Sequence, residues 1–103
     1  MDKTEAIRIA QRYIMNIRKK YVIEKAYLYG SFAKGTHHSN SDIDLALVFP
    51  SISDIIDIQI DLMQMRGNDD LILEPHPFRK KDFNLNHPVV AEILKNGIEI
   101  TNT

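Results

Sequence analysis

The sequence predicts a single α/β domain in which a mixed sheet of about four strands packs against helices. Apolar residues recur at helical spacing in some segments and form short, near-continuous runs in others. The two kinds of segment alternate along the chain, which is typical of strands packed against helices. At 103 residues, 44% hydrophobic and 26% charged, the chain suits one globular domain, so we treat residues 1–103 as one unit.

The first predicted helix begins at Thr4, which suits an N-cap, and continues to Ile17. Its apolar residues recur at helical spacing: Ala6, Ile7, Ala10, Ile14 and Ile17. After a short break, the aromatic and apolar residues 26–29 (AYLY) indicate a buried strand that runs into a turn at Gly30. A helix followed by a strand therefore opens the domain.

A second helix and a second strand follow. Residues Ser31–Lys34 predict a short helix that ends at Gly35, and the polar residues 37–41 (HHSNS) predict a loop. Residues 42–49 (DIDLALVF) predict a strand that ends before Pro50. So long an apolar run is typical of a strand that is buried on both faces. The two carboxylates at its start therefore stand out.

The C-terminal half repeats this alternation. Residues 53–65 predict a helix with one polar stripe and an apolar remainder. Residues 71–78 (LILEPHPF) begin as a strand, and its two prolines place it at a sheet edge or where the ladder is left. Residues 79–86 resemble a loop. Pro88 suits the first turn of a last helix through Lys95, Gly97 suits its C-terminal end, and residues 98–100 add a short strand.

Composition excludes several classes of function. The net charge of −1 argues against a protein that holds nucleic acid mainly by neutralising phosphates. The absence of cysteine excludes disulfides and thiolate metal sites, so oxygen ligands remain for a metal. No apolar run approaches the roughly 20 residues that a membrane-spanning helix needs. We therefore expect a soluble, cytoplasmic protein.

Asp42 and Asp44 are two residues apart on the second predicted strand, so both side chains point from the same face. Two like charges beside an apolar strand are costly unless a cation compensates, and Mg²⁺ prefers such oxygen ligands. An isolated pair of this spacing is more often two solvated residues at a turn. The pair needs a second observation to indicate a metal site.

Gly30 and Ser31 provide it, because they lie where a strand ends and a helix begins. Free backbone N–H groups and the positive end of the helix dipole favour an anion there. Gly30 allows a phosphate to approach the backbone, Ser31 can donate its hydroxyl, and Lys34 can reach phosphate oxygens one turn later. The alternative is an ordinary turn in which Ser31 is an N-cap and Lys34 a surface charge.

Together these residues spell G-S-x10-D-x-D, and the segments LYGSFAKG and SDIDLALV carry a resemblance to a known family. The chain resembles the minimal nucleotidyltransferases of the polymerase-beta-like superfamily across nearly its whole length. That resemblance implies Mg²⁺-dependent transfer of a nucleoside monophosphate, with ATP as the expected co-substrate. It also implies that Asp42 and Asp44 hold two Mg²⁺ ions and that Gly30 and Ser31 grip the triphosphate.

The resemblance further implies a third carboxylate from a later strand. Glu74 is the candidate, because strand parity puts Ile72, Glu74 and His76 on one face. Asp70 shares that parity and is the alternative. The interpretation without a function is that Glu74 is an exposed residue on an edge strand. His37 and His38, adjacent in a loop, lack the spacing of a helical metal pair and are expected to be solvated.

Relatives of this size resemble antitoxins that silence a helical HEPN toxin by adding AMP to a tyrosine. This resemblance implies a protein adenylyltransferase whose acceptor surface comes from a partner or from a second copy. One alternative keeps the chemistry but uses a small molecule or RNA as acceptor, although the lack of basic charge counts against RNA. The other is a non-catalytic antitoxin that acts by contact alone, for which the spacing of Asp42 and Asp44 has no evident use.

Overall fold

The computed structural model describes residues 1–101, without the side chain of Asp69. The predicted alternation of helices and strands is confirmed. Two 3₁₀ turns, Asn68–Asp70 and Lys80–Asp82, flank the third strand. The elements are α1 (Lys3–Ile17), β1 (Lys25–Tyr29), α2 (Ser31–Lys34), β2 (Ile43–Phe49), α3 (Ile55–Gln64), β3 (Leu73–Arg79), α4 (Pro88–Asn96) and β4 (Ile98–Glu99).

The four strands form one mixed sheet in the order β3-β2-β1-β4. β1 is antiparallel to both of its neighbours, whereas β2 and β3 are parallel. β3 is an edge strand, as its prolines predicted. The N–H of Ile43 donates to the carbonyl of Ile72. The backbone groups of alternate β3 residues therefore point towards β2, whereas the nitrogens of Pro75 and Pro77 point away from it. Proline is tolerated there because those positions need no ladder donor.

The two faces of the sheet are packed unequally. One face carries the main core, which α1 and α3 cover and which includes Leu28, Leu45 and Leu73. The Tyr13 hydroxyl of α1 donates to the Leu62 carbonyl of α3 at 2.6 Å, which joins the two helices. α4 covers part of the other face through a smaller cluster of Tyr27, Ala46 and Ile93. Among residues 1–101 no helix is long and apolar enough to cross a bilayer.

Carboxylates, and not hydroxyls, cap the two longest helices. The N-cap of α1 is Asp2, whose side chain accepts from the Glu5 N–H at 2.8 Å, so the prediction of Thr4 was wrong. Asp54 caps α3 and accepts from two backbone N–H groups, so this helix begins later than predicted. A charged acceptor also interacts favourably with the positive end of the helix dipole, which explains the preference.

The last two elements agree with prediction in position. Gly97 ends α4, but its backbone is extended and not left-handed. A side chain at this position would collide with the carbonyl oxygen of Ile93, so glycine is required here by space and not by backbone conformation. β3 begins at Leu73, later than predicted, because residues 68–70 fold into a 3₁₀ turn.

Candidate active site

Three side chains form a row across the sheet on the face that α4 partly covers. Asp44 of the central strand β2 pairs in register with Tyr29 of β1 and with Glu74 of β3. Directly opposed residues of neighbouring strands point to the same face. Asp44 and Glu74, hereafter the carboxylate pair, therefore stand side by side. Asp42 lies just before β2 and is exposed.

Gly30 brings the turn between β1 and α2 against the carboxylate pair. It is the N-cap of α2, with φ 75° and ψ −149°, so the alternative in which Ser31 is the N-cap is wrong. A side chain at Gly30 would collide with the carboxylate of Asp44. Ser31, half-buried, opens the helix immediately beside this contact. The first N–H groups of a helix thus lie next to the carboxylate that the sequence assigned to a metal.

Lys34 makes an ion pair that the sequence did not indicate. Its ammonium lies 2.6 Å from the Glu92 carboxylate of α4 and joins α2 to the helix that covers this face. The hydrogen bond from Lys34 lowers the pKa of Glu92 below its ordinary value. The structure therefore places Lys34 near the turn, as expected, but with its charge already partnered.

Glu74 and Asp70 differ sharply in their surroundings. Asp70 lies in the 3₁₀ turn before β3, and its carboxylate accepts from the guanidinium of Arg12 on α1 at 2.6 Å. The alternation of side chains along β3 does not extend to Asp70, because the chain is not yet a strand there. Of the two candidates for the third carboxylate, Glu74 alone stands opposite Asp44.

Comparison with known protein families assigns most of the chain to one family. Residues 12–103 match the family described as Polymerase beta, Nucleotidyltransferase. The chain belongs to this nucleotidyltransferase family. The comparison with curated protein sequences gave no significant match.

Solved structures share the nucleotidyltransferase fold with this chain. A candidate nucleotidyltransferase from Sulfolobus solfataricus has a TM-score of 0.68 and 18% identity, over 94% of this chain and 80% of that one. A toxin–antitoxin with AMP-PNP has a TM-score of 0.64 and 22% identity, over 90% and 73%. A mutant of the toxin–antitoxin MntA-HpeT has a TM-score of 0.58 and 19% identity, over 100% and 75%.

Tyr29 and His76 complete the surroundings of the carboxylate pair in this nucleotidyltransferase. The His76 Nε2 lies 3.8 Å from Asp44 Oδ1, and its ring centroid is 5.9 Å from that of Tyr29. Burial, with smaller contributions from Asp44 and Glu74, raises the pKa of the Tyr29 phenol and keeps it protonated. Sequence reasoning missed Tyr29, because only the register of β1 on β2 places it beside Asp44.

The loop that leads into Asp42 is more ordered than a solvated loop. His37 stacks on Phe32 of α2 with ring centroids 4.3 Å apart, so the expectation that it is solvated was wrong. His38 is exposed, as expected, and its N–H donates to the hydroxyl of the buried Ser41 at 2.9 Å. These contacts fix the direction in which the chain enters β2.

The carboxylate oxygens of this site suit a Mg²⁺ ion that is bound together with a nucleotide. Among the side chains that the structure describes, which leave out Asp69, no three of His, Asp or Glu converge closely enough to enclose a metal. Mg²⁺, however, is usually bound by one or two carboxylates together with substrate phosphates and water, and not by a cage of protein ligands. The carboxylate pair and the exposed Asp42 provide the hard oxygen donors for such a site.

A pair of glycine substitutions tests the close approach at Gly30. Gly30→Ala and Gly35→Ala both force alanine to positive φ. Gly35 is in the left-handed helical region, where alanine costs about 1–2 kcal/mol, whereas Gly30, with ψ −149°, is in a region that essentially only glycine adopts. Only the Gly30 side chain would meet Asp44, whereas nothing lies within 4 Å of a side chain at Gly35. We expect Gly30→Ala to lose more thermal stability than Gly35→Ala, and only Gly30→Ala to lose nucleotide transfer at a temperature where both variants are folded. Equal activity in the two variants would show that the turn need not touch Asp44.

Proposed function

We propose that this chain is a Mg²⁺-dependent nucleotidyltransferase that moves AMP from ATP to a hydroxyl group and acts as an antitoxin. Its acceptor is a tyrosine of a HEPN-type toxin. The observation that carries this proposal is the carboxylate pair lying against the Gly30 turn. A phosphate-binding turn and paired hard ligands are the two parts that nucleotidyl transfer needs, and here they are in contact.

Each residue has a distinct role in the proposed reaction. Gly30 lets the triphosphate approach the backbone, and Ser31 donates its N–H and hydroxyl to phosphate oxygens. Asp42, Asp44 and Glu74 would hold the metal ions, which when bound offset the charge of the triphosphate and of departing pyrophosphate. Glu74 accepts the proton of the acceptor hydroxyl as its oxygen bonds to the α-phosphorus and the bond to pyrophosphate breaks.

In this proposal Lys34 binds the triphosphate only when it leaves its partner Glu92. It is a point charge one helical turn from Gly30, which is within reach of phosphate oxygens for a flexible side chain. Its ion pair with Glu92 is partly exposed, and such pairs contribute only about 0–1 kcal/mol. A bound triphosphate carries more negative charge than Glu92, so Lys34 would exchange one partner for the other.

The antitoxin role is supported by likeness of fold. Two of the similar structures are toxin–antitoxin complexes, and one of them was solved with AMP-PNP, a non-hydrolysable relative of ATP. A protein acceptor also agrees with the net charge of −1, which does not favour RNA.

Intact mass spectrometry tests the acceptor. After incubation with ATP, Mg²⁺ and this chain, a HEPN-type partner protein should gain the mass of one or more adenylyl groups, located on tyrosine by peptide mapping. Omitting Mg²⁺ is the control and should leave the mass unchanged. If the partner is inhibited in the complex while its mass stays unchanged, the chain is a non-catalytic antitoxin and the proposed reaction is wrong.

A further inference from the structure

An apolar groove crosses the outer edge of β3, next to the candidate active site. Its volume is about 520 Å³, and α3, β3 and the start of α4 line it. We call it the β3 groove. Its apolar wall consists of Ile55, Ile56, Ile60, Pro77, Phe78 and Val89.

The isoleucines of this wall are unusually exposed. Ile58 and Leu62 are the buried residues of α3, whereas Ile55, Ile56 and Ile60 are 36%, 68% and 51% exposed. Three large aliphatic side chains are thus exposed on one short helix. A contiguous exposed apolar area usually marks an interaction site. The groove is therefore a docking surface by composition.

The β3 groove is continuous with the active site. Tyr29 and His76 line its inner end, and His76 lies 3.8 Å from Asp44. Glu74 precedes His76 on the same face of the same strand. If Glu74 receives the acceptor's proton, the acceptor hydroxyl must arrive at β3. A molecule seated in this groove would approach the carboxylate pair from that side.

The edge of β3 restricts what can bind there. An added strand needs outward-facing N–H groups, but Pro75 and Pro77 occupy outward positions and have none. The outward carbonyl of Pro75 already accepts from the Gln59 side chain at 2.9 Å. An occupant must therefore bind through side chains, as an amphipathic helix does when it lays its apolar face into a groove.

A nucleobase fits this surface less well than a helix. Gln59 and His87, two of the polar side chains that line the groove, each already make a hydrogen bond with a backbone group. A base edge would find few free partners there, whereas the aliphatic wall extends along α3 away from the active site. The apolar face of a protein helix matches both features.

We propose that the β3 groove docks the apolar face of a helix from the partner protein and thereby presents the acceptor tyrosine to the carboxylate pair. This inference rests on the proposed function and adds to it the surface and the secondary structure that the partner uses. It also explains why hydrophobic side chains on α3 remain exposed in the free chain.

Substitutions in the wall of the groove test this proposal. Ile56→Asp places a charge in the docked interface, and Ile60→Gln removes apolar surface without adding charge. Val22→Asp is the matched control, because Val22 is 73% exposed and lies before β1, at the other end of the sheet from Tyr29. Thermal unfolding should show all three variants folded, since the replaced side chains are exposed.

The readouts are the dissociation constant for the HEPN-type partner by calorimetry, adenylyl transfer by intact mass, and the affinity for Mg²⁺-ATP. We expect Ile56→Asp to weaken partner binding by at least about 30-fold, the loss typical of an interface hot spot. Ile60→Gln should weaken it to a smaller extent. Transfer should fall in parallel, while Mg²⁺-ATP affinity stays within about two-fold and Val22→Asp behaves as the unmodified chain.

Other outcomes would overturn the proposal in distinguishable ways. Unchanged partner binding in Ile56→Asp and Ile60→Gln would exclude the groove as the docking site while leaving the proposed reaction intact. Loss of Mg²⁺-ATP affinity in these variants would assign the groove to the nucleotide. Sedimentation of a wild-type dimer that Ile56→Asp dissociates would assign it to a second copy of this chain. Failure of the unmodified chain to modify its partner would instead reject the proposed function.

Discussion

Replacing Asp44 by asparagine should lower the rate of nucleotidyl transfer on the order of 10³-fold. A bound metal stabilises the transferring phosphate by several kcal/mol, and each 1.4 kcal/mol is a factor of ten. Asp44 is the carboxylate that lies against the Gly30 turn and stands opposite Glu74. In the proposed reaction its loss therefore removes a metal ligand that lies between the triphosphate and the acceptor hydroxyl. Asp42→Asn should act in the same direction. Single-turnover transfer and calorimetric titration of Mg²⁺-ATP measure the two effects.

The thermal stability of Asp44→Asn should be unchanged or slightly higher, because the substitution relieves repulsion between neighbouring carboxylates. Asp57→Asn is the control, since Asp57 is an exposed carboxylate on α3 and its loss should leave transfer unaltered. If both Asp42→Asn and Asp44→Asn bind Mg²⁺-ATP as tightly as the unmodified chain, the assignment of the metal site is wrong.

Glu74→Gln should slow transfer by at least about 100-fold, which is the scale of losing a catalytic base or a metal ligand. Nucleotide should still bind, because Gly30, Ser31 and the other two carboxylates remain. The reason to single out Glu74 is its register with Asp44 on the neighbouring parallel strand. A rate measurement at saturating ATP, beside an ATP affinity measurement, separates the chemical step from binding.

Asp70→Asn provides the comparison for Glu74→Gln. Asp70 is engaged with Arg12 on α1, so this variant should lose about 1 kcal/mol of stability or less and keep its transfer rate. If Glu74→Gln transfers at the unmodified rate and Asp70→Asn is slow, the role of third carboxylate belongs to Asp70. A fast enzyme in both cases would mean that Asp42 and Asp44 suffice.

Local sequence signals predicted the parts of this fold that depend on neighbouring residues. The short helix Ser31–Lys34 lies between two glycines at positive φ, and glycine adopts that conformation without strain. Pro50 ends β2, and the prolines of β3 placed that strand at an edge. These residues restrict the backbone by themselves, so no knowledge of distant contacts was needed.

Contacts between distant segments were beyond sequence reasoning. The pairing of Lys34 with Glu92 and that of Asp70 with Arg12 depend on how distant elements pack. Even the stacking of His37 on Phe32, which are close in sequence, depends on the path of the loop between them. Strand parity put Glu74 and His76 on one face of their strand but could not choose the neighbour of Glu74 across the sheet. That choice follows from the register, which the packing of both faces determines.

The unequal packing of the two faces has a consequence for local opening of the fold. α1 contributes six buried side chains to the main core, whereas α4 has two buried side chains, Val90 and Ile93. Elements with fewer buried apolar contacts separate at a lower free energy than that of global unfolding. We therefore expect α4 to separate from the sheet at a lower free energy than α1, and the face that α4 covers is the one that bears the carboxylate pair.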